Sequence, residues 1–204
     1  MRKRKSQRPQ PVPKPKFSLE QEEPQVPTFT EIGGSPVPGL TLRHVLRGHT
    51  DIISRIAWSP DGRYLASPSV DKTIRIWDVA RGKSIAVLKG DTDEVHCIAW
   101  SPDGTKIVSG SGQIVSGSGQ QDMAQTGSVR IWKIKTKQNT VILDDHENQV
   151  WCVAWSPNGK KILLGSGTSI RIWDSDSGTV DNILQMSENR VSEALWMPNG
   201  RDLV

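Results

Sequence analysis

The sequence predicts an all-β fold: about three and a half four-stranded antiparallel sheets stacked radially, behind a disordered N-terminal tail. Three observations predict it. Tryptophan recurs in two series at a period near 41 residues. Short alternating apolar segments fill each period and are split by Pro-Asp-Gly or Pro-Asn-Gly turns. The first forty residues are rich in proline and show no apolar period.

The tail comes first. Residues 1–38 carry eight of the thirteen prolines in the 204-residue chain. So little apolar surface cannot offset the ordering cost of about 1–2 kcal/mol per residue. Alternating prolines from Pro9 to Pro15 favour extended chain. Residues 1–16 hold seven basic residues and no acid, which leaves 19 basic against 22 acidic residues from 17 onward. The net charge of +4 therefore belongs to the tail, and the body is mildly acidic. A basic core that binds nucleic acid is disfavoured, so nucleic acid is expected only at the tail, if at all. No apolar run approaches the ~20 residues of a transmembrane segment, and the charged N-terminus lacks the apolar core of a secretory signal. Two cysteines are too few for a disulfide scaffold. The expected compartment is the reducing cytoplasm, or the nucleus if the opening basic cluster, Met1 to Lys5, acts as an import signal.

The body opens with residues 41–46, which read as an outer strand. Four segments then align without gaps: IISRIAWSPDGRYLAS (52–67), EVHCIAWSPDGTKIVS (94–109), QVWCVAWSPNGKKILL (149–164) and RVSEALWMPNGRDLV (190–204). A second set, TIRIWD (73–78), SVRIWK (128–133) and SIRIWD (169–174), follows the first three. The two sets absorb seven of the eight tryptophans and leave only Trp151 outside. In the first repeat the Ile-Ala-Trp segment is a strand. Ser59-Pro60-Asp61-Gly62 is a tight turn in which Pro presets the entry and Gly takes positive φ. Tyr64–Ser67, Ile74–Trp77 and Ser84–Leu88 supply three more strands. One such sheet cannot bury both of its faces alone, and stacking the copies buries them. The expected blades are about 47–89, 90–143 and 144–185, with an incomplete blade at 186–204.

These residues resemble the WD-repeat (tryptophan–aspartate) β-propeller family. The resemblance rests on Gly48-His49, Ser59-Pro60-Asp61-Gly62 and Trp77-Asp78, with partial copies downstream, and covers roughly 41–204. It implies a hydrogen-bonded set of His, Ser, Asp and Trp in each blade, present in repeat one as His49, Ser67, Asp71 and Trp77. Repeat two has Asp91 in place of the histidine, keeps Ser109 and Trp132, and has no Asp in register. Repeat three keeps His146 and Trp173, lacks the Asp and has Gly165 in place of the serine. These substitutions put the rigidity of blades two and three in question. The set is structural; a Ser/His/Asp catalytic reading is disfavoured.

Repeat two carries IVSGSGQ at 107–113 and again at 114–120. Seven is odd, so the choice of copy decides which face each side chain takes. The first copy keeps the distance from Gly104 to the strand seen in repeat one, so it is expected to pair, with 113–127 as a loop. The chain holds three blades and a fraction where family rings usually have seven. Three readings fit: a truncated or split propeller, a ring completed by self-association or by a second propeller fragment, and an open stack.

No phosphate-binding glycine loop, carboxylate pair or His-x-x-x-His motif appears. No catalytic residue, metal or cofactor is expected. Cys97 and Cys152 hold the same position in adjacent blades and read as small core residues. The resemblance implies partner binding on the face around the central channel, at Ser54, His96, Trp151 and Ser192, with Val70 joining the same face. Trp151 packed only on its neighbouring blade is the structural alternative. The expected function is a non-enzymatic scaffold for a protein or peptide. One alternative is an adaptor whose tail (1–16) binds nucleic acid or an acidic membrane surface, with the propeller as spacer. Another is the regulatory sensor module of a larger enzyme.

Overall fold

The computed structural model describes residues 33–34, 39–91, 93–112, 127–146, 149–186 and 190–204, with the main chain alone for 140–146. The tail reading of 1–32 and the inserted segment 113–126 lie outside the described residues. The chain divides into two units, Met1–Leu42 and Arg43–Val204.

Three four-stranded antiparallel sheets make up the second unit. The first holds β1 (Ala57–Trp58), β2 (Tyr64–Pro68), β3 (Thr73–Asp78) and β4 (Lys83–Lys89). The second holds β5 (Val95–Trp100), β6 (Lys106–Gly112), β7 (Gly127–Lys133) and β8 (Gln138–His146). The third holds β9 (Val150–Trp155), β10 (Lys161–Ser166), β11 (Ser169–Asp174) and β12 (Val180–Gln185). Strands follow chain order within each sheet, each pairing antiparallel with its neighbour in sequence. The fourth repeat forms the bridge Trp196↔Leu203 around its own turn. Each sheet is one blade.

Trp77, Trp132 and Trp173 occupy equivalent places, opposite Leu65, Ile107 and Ile162 on the preceding strand. The first copy of the duplicated heptapeptide pairs, since β6 contains Ile107–Gly112. Gly127, expected as the last residue of the loop, belongs to β7 instead.

The turns repeat at atomic level. Ser59 Oγ donates to Asp61 and accepts the Tyr64 N–H at 2.9 Å. Ser101 with Asp103 and Lys106, and Ser156 with Asn158 and Lys161, repeat this arrangement. A side chain that mimics a backbone turn is what Ser and Asx supply at such sites.

Residues 41–46 are a correction: they form no strand. Leu42 bonds back to Gly33 and Gly34, at 2.8 and 2.9 Å, and so gives its backbone groups to a local turn instead of a ladder.

The core lies between blades. One buried cluster joins Ile74, Ile76 and Leu88 of blade one to Val95, Trp100 and Trp132 of blade two. The next joins Val108, Val129 and Ile131 of blade two to Val150, Trp155 and Leu164 of blade three. The last joins Leu163 and Ile170 of blade three to Val191 and Ala194 of the fourth repeat. Polar contacts reinforce the first two seams. The Trp100 indole N–H donates to the Ala57 carbonyl at 3.1 Å, and Trp155 repeats this with Ala99 at 3.2 Å.

Candidate functional site

Strand pairing explains which residues the inner strands push outward. In blade two Val95 pairs with Ser111 and Cys97 with Gly110, so His96 is one residue too many. In blade three Val150 pairs with Ser166 and Cys152 with Gly165, so Trp151 is the extra residue. In blade one Ile53 bridges Ser69, and Ala57 pairs with Ala66, so the same shift falls within 54–56. Ser54 there donates its N–H to the Pro68 carbonyl at 3.1 Å. The inner strands of blades two and three thus carry a β-bulge at the same place, a device that bends the strand and re-aims a side chain, and blade one shows a one-residue offset nearby.

The bulges of blades two and three bring two predicted site residues together. The rings of His96 and Trp151 lie 6.1 Å apart at 30°. His96 is buried, and its Nε2–H donates to the Gly112 carbonyl at 2.8 Å. That bond places a proton on Nε2, because a carbonyl oxygen can only accept. The Glu94 carboxylate stands 3.8 Å from the same Nε2. Trp151 is half-buried. Among the described residues, no ring, hydrogen-bond or ion-pair contact joins Ser54, Val70 or Ser192 to this pair. Val70 is half-buried and donates its N–H to the Ile52 carbonyl at 3.0 Å. Ser192 is exposed and lines a separate cleft of about 460 Å³ with Ile170, Leu184, Met186 and Val191.

Below the bulges, the equivalent positions Arg55, Cys97, Cys152 and Glu193 line a second cavity of about 400 Å³. Arg55 and Glu193 pair across it at 2.9 Å. Burial pushes the Cys97 thiol far above its ordinary range, and the neighbouring Cys152 adds to the effect. Cys152 is raised by burial too. Such thiols are poor nucleophiles. Among the described residues no group of three His, Cys, Asp or Glu side chains is placed to hold a metal ion.

The blade networks hold these strands in place. In blade one His49 Nδ1 meets Asp71 Oδ2 at 2.8 Å, its Nε2 meets Ser67 Oγ at 2.7 Å, and Trp77 donates to Ser67 Oγ at 2.8 Å. In blade two Trp132 still donates to Ser109 at 2.8 Å. Asp91 stands in place of the histidine, and Arg130 Nε lies 2.7 Å from its Oδ1. The Arg130 Nε–H does not point along that line, so the contact is coulombic and not a directed hydrogen bond. Burial drives the Asp91 carboxyl up to about 6 against the pull of Arg130 and Ser109. Blade two therefore has a buried aspartate–arginine contact where blade one has the His–Asp–Ser–Trp set.

Blade three requires a second correction. Register places Leu164 opposite Arg171, as Ser67 stands opposite Arg75 and Ser109 opposite Arg130. The serine position is held by Leu164, while Gly165 matches Gly110. A leucine cannot accept a hydrogen bond, and the buried Trp173 indole N–H has no partner. The side chain of His146 lies outside the described residues.

Two residues near the rim escaped the sequence reading. Arg130 looked like one more alternating strand residue, although an acid at Asp91 in place of a histidine is a signal that a cation is near. Gln149 carried no pattern at all.

Comparison with known proteins matches the model of the WD domain, G-beta repeat, to residues 40–78, 82–133 and 137–174, more than half of the chain. Among curated proteins, the chain is 49% identical over 41 residues to a ribosome biogenesis protein BOP1 homolog of Drosophila virilis. It is 43% identical over 47 residues to a component of chromatin assembly factor 1 of Gallus gallus. These stretches are 20% and 23% of this chain and 5% and 8% of the relatives, so the chain matches less than a tenth of either relative's length.

Proposed function

The chain belongs to the WD-repeat family, and from that premise we propose that it is a non-enzymatic scaffold that holds a protein or peptide on the rim formed by its inner-strand bulges. One observation carries the proposal. The bulge recurs in blades two and three, where it presents an imidazole and a half-exposed indole side by side. An indole held by a rigid sheet is a common interface anchor, and truncating one often costs about 2 kcal/mol or more. The two named relatives are, by their names, a ribosome biogenesis protein and part of a chromatin assembly factor, and assembly work of that kind suits a scaffold. Ser54, Val70 and Ser192 belong to the wider face of this proposal.

The test is comparative capture. Wild type, Trp151→Ala and a chain lacking residues 1–16 serve as baits at low and high salt. Proteins kept by wild type and by the shortened chain but lost by Trp151→Ala support the rim. Proteins lost on removing 1–16 and released by salt support the rival, a tail that binds nucleic acid or an acidic membrane.

A second reading concerns an uncovered face. Trp58 is 55% exposed, whereas its counterparts Trp100 and Trp155 are buried against the preceding blade. Trp58 is chemically ready to make the same bond to another blade, in a second copy or in a separate propeller fragment. Sedimentation that shows one species at every concentration would exclude the second copy.

A further inference from the structure

Gln149 is 4% exposed, and its side-chain Nε2 is buried without a hydrogen-bond partner. A buried donor left unmade costs about 1–3 kcal/mol, so its persistence calls for a reason. The surroundings are specific. Gln149 stands two residues before Trp151, at the start of the bulged strand. Its Cγ would lie 2.9 Å from a Cβ placed on Gly112, so only glycine lets the two strands approach this closely. The Gly112 carbonyl is the acceptor that His96 occupies. The Gln149 main-chain carbonyl is engaged by Ser166 Oγ at 3.1 Å, which fixes the backbone beneath the free amide. An unanswered donor, an imidazole and a half-exposed indole therefore share one seam between blades two and three.

We infer that this seam recognises a neutral amide of a peptide, whose carbonyl oxygen accepts from Gln149 while the chain lies along Trp151. This rests on the rim reading above and names the chemistry of the partner. The Glu94 carboxylate beside His96 disfavours a carboxylate ligand, because two like charges would meet in a poorly solvated place. A main-chain amide, or an Asn or Gln side chain, offers the acceptor without the charge.

Two measurements on the full chain test the inference. The first is urea unfolding of Gln149→Met, which keeps the volume and removes the unmet donor. The variant is expected to be more stable than wild type. A less stable variant would mean that the amide is already satisfied, by water for example, and would overturn the inference. The second is titration with N-acetyl-triglycine amide, followed by the NMR signals of the Gln149 side-chain amide and the Trp151 indole, with sodium acetate as comparison. Saturable shifts with the peptide amide, weakened roughly tenfold or lost in Gln149→Met, are expected. No shift, or an equal response to acetate, would overturn the inference. The rim reading fails separately, if Trp151→Ala keeps every captured partner.

Discussion

Buried Ser67 joins two groups: it meets the His49 ring and accepts from the Trp77 indole. Ser67→Ala would strand the Trp77 N–H, and a loss of about 1–3 kcal/mol in urea unfolding is expected. Blade three supplies the control. Trp173 has no acceptor to lose, so Trp173→Phe is expected to cost less than Trp77→Phe. Two carboxylates give opposite pH responses. Burial raises Asp71, but hydrogen bonds from Thr73, His49 and the Thr50 N–H outweigh it and hold the group at about 2. Its contribution is present above the unfolded value of 3.8 and is lost as pH falls toward 2. Asp91 is raised to about 6, so between 3.8 and 6 the folded chain binds more protons than the unfolded chain. Stability from this group therefore declines as pH rises through that window and is flat above it. Unfolding curves at intervals from pH 4 to 7 should show this decline in wild type and lack it in Asp91→Asn. The Asn variant should also be less stable at neutral pH, since Arg130 is left buried without its counter-charge.

The strands were legible from the sequence because alternation and turn chemistry act locally. Ile74–Trp77 alternates, Ser59–Gly62 turns, and both stand where expected. Strand register was less legible. A bulge adds one residue with no compositional mark, so nothing in VHCIAW or VWCVAW shows that His96 and Trp151 are unpaired. The serine position of blade three was misplaced by one residue, although the gap-free alignment of 149–164 with 52–67 already puts Leu164 there. Residues 41–46 failed as a strand because apolar alternation cannot reveal that Leu42 has a nearer partner. Close packing at the bulged strands is a further element-scale property. A Cβ on Gly110 would meet Cys97 Sγ and Val150 Cγ1, each at 2.6 Å. Gly110→Ala is expected to cost about 1–3 kcal/mol by overpacking. Combining it with Cys97→Ala should recover part of that loss, and a double-mutant cycle measures the coupling.

Across the whole molecule, blade stacking turns a sequence period into a surface. Each seam packs the apolar side chains of one blade against the next, and that rigid stack fixes where the bulged residues emerge. The candidate site was half legible. Trp151 stood out as the one tryptophan outside both series, and its pairing with His96 followed from adjacent blades. Gln149 was not legible, because an unmet donor is a property of packing and not of residue type. The direct test of the rim is titration of a purified captured partner against wild type and Trp151→Ala, with equal thermal midpoints confirmed first. Binding by the variant should be roughly thirtyfold weaker, the equivalent of about 2 kcal/mol. Equal affinity for the two chains would refute the rim as the partner's seat.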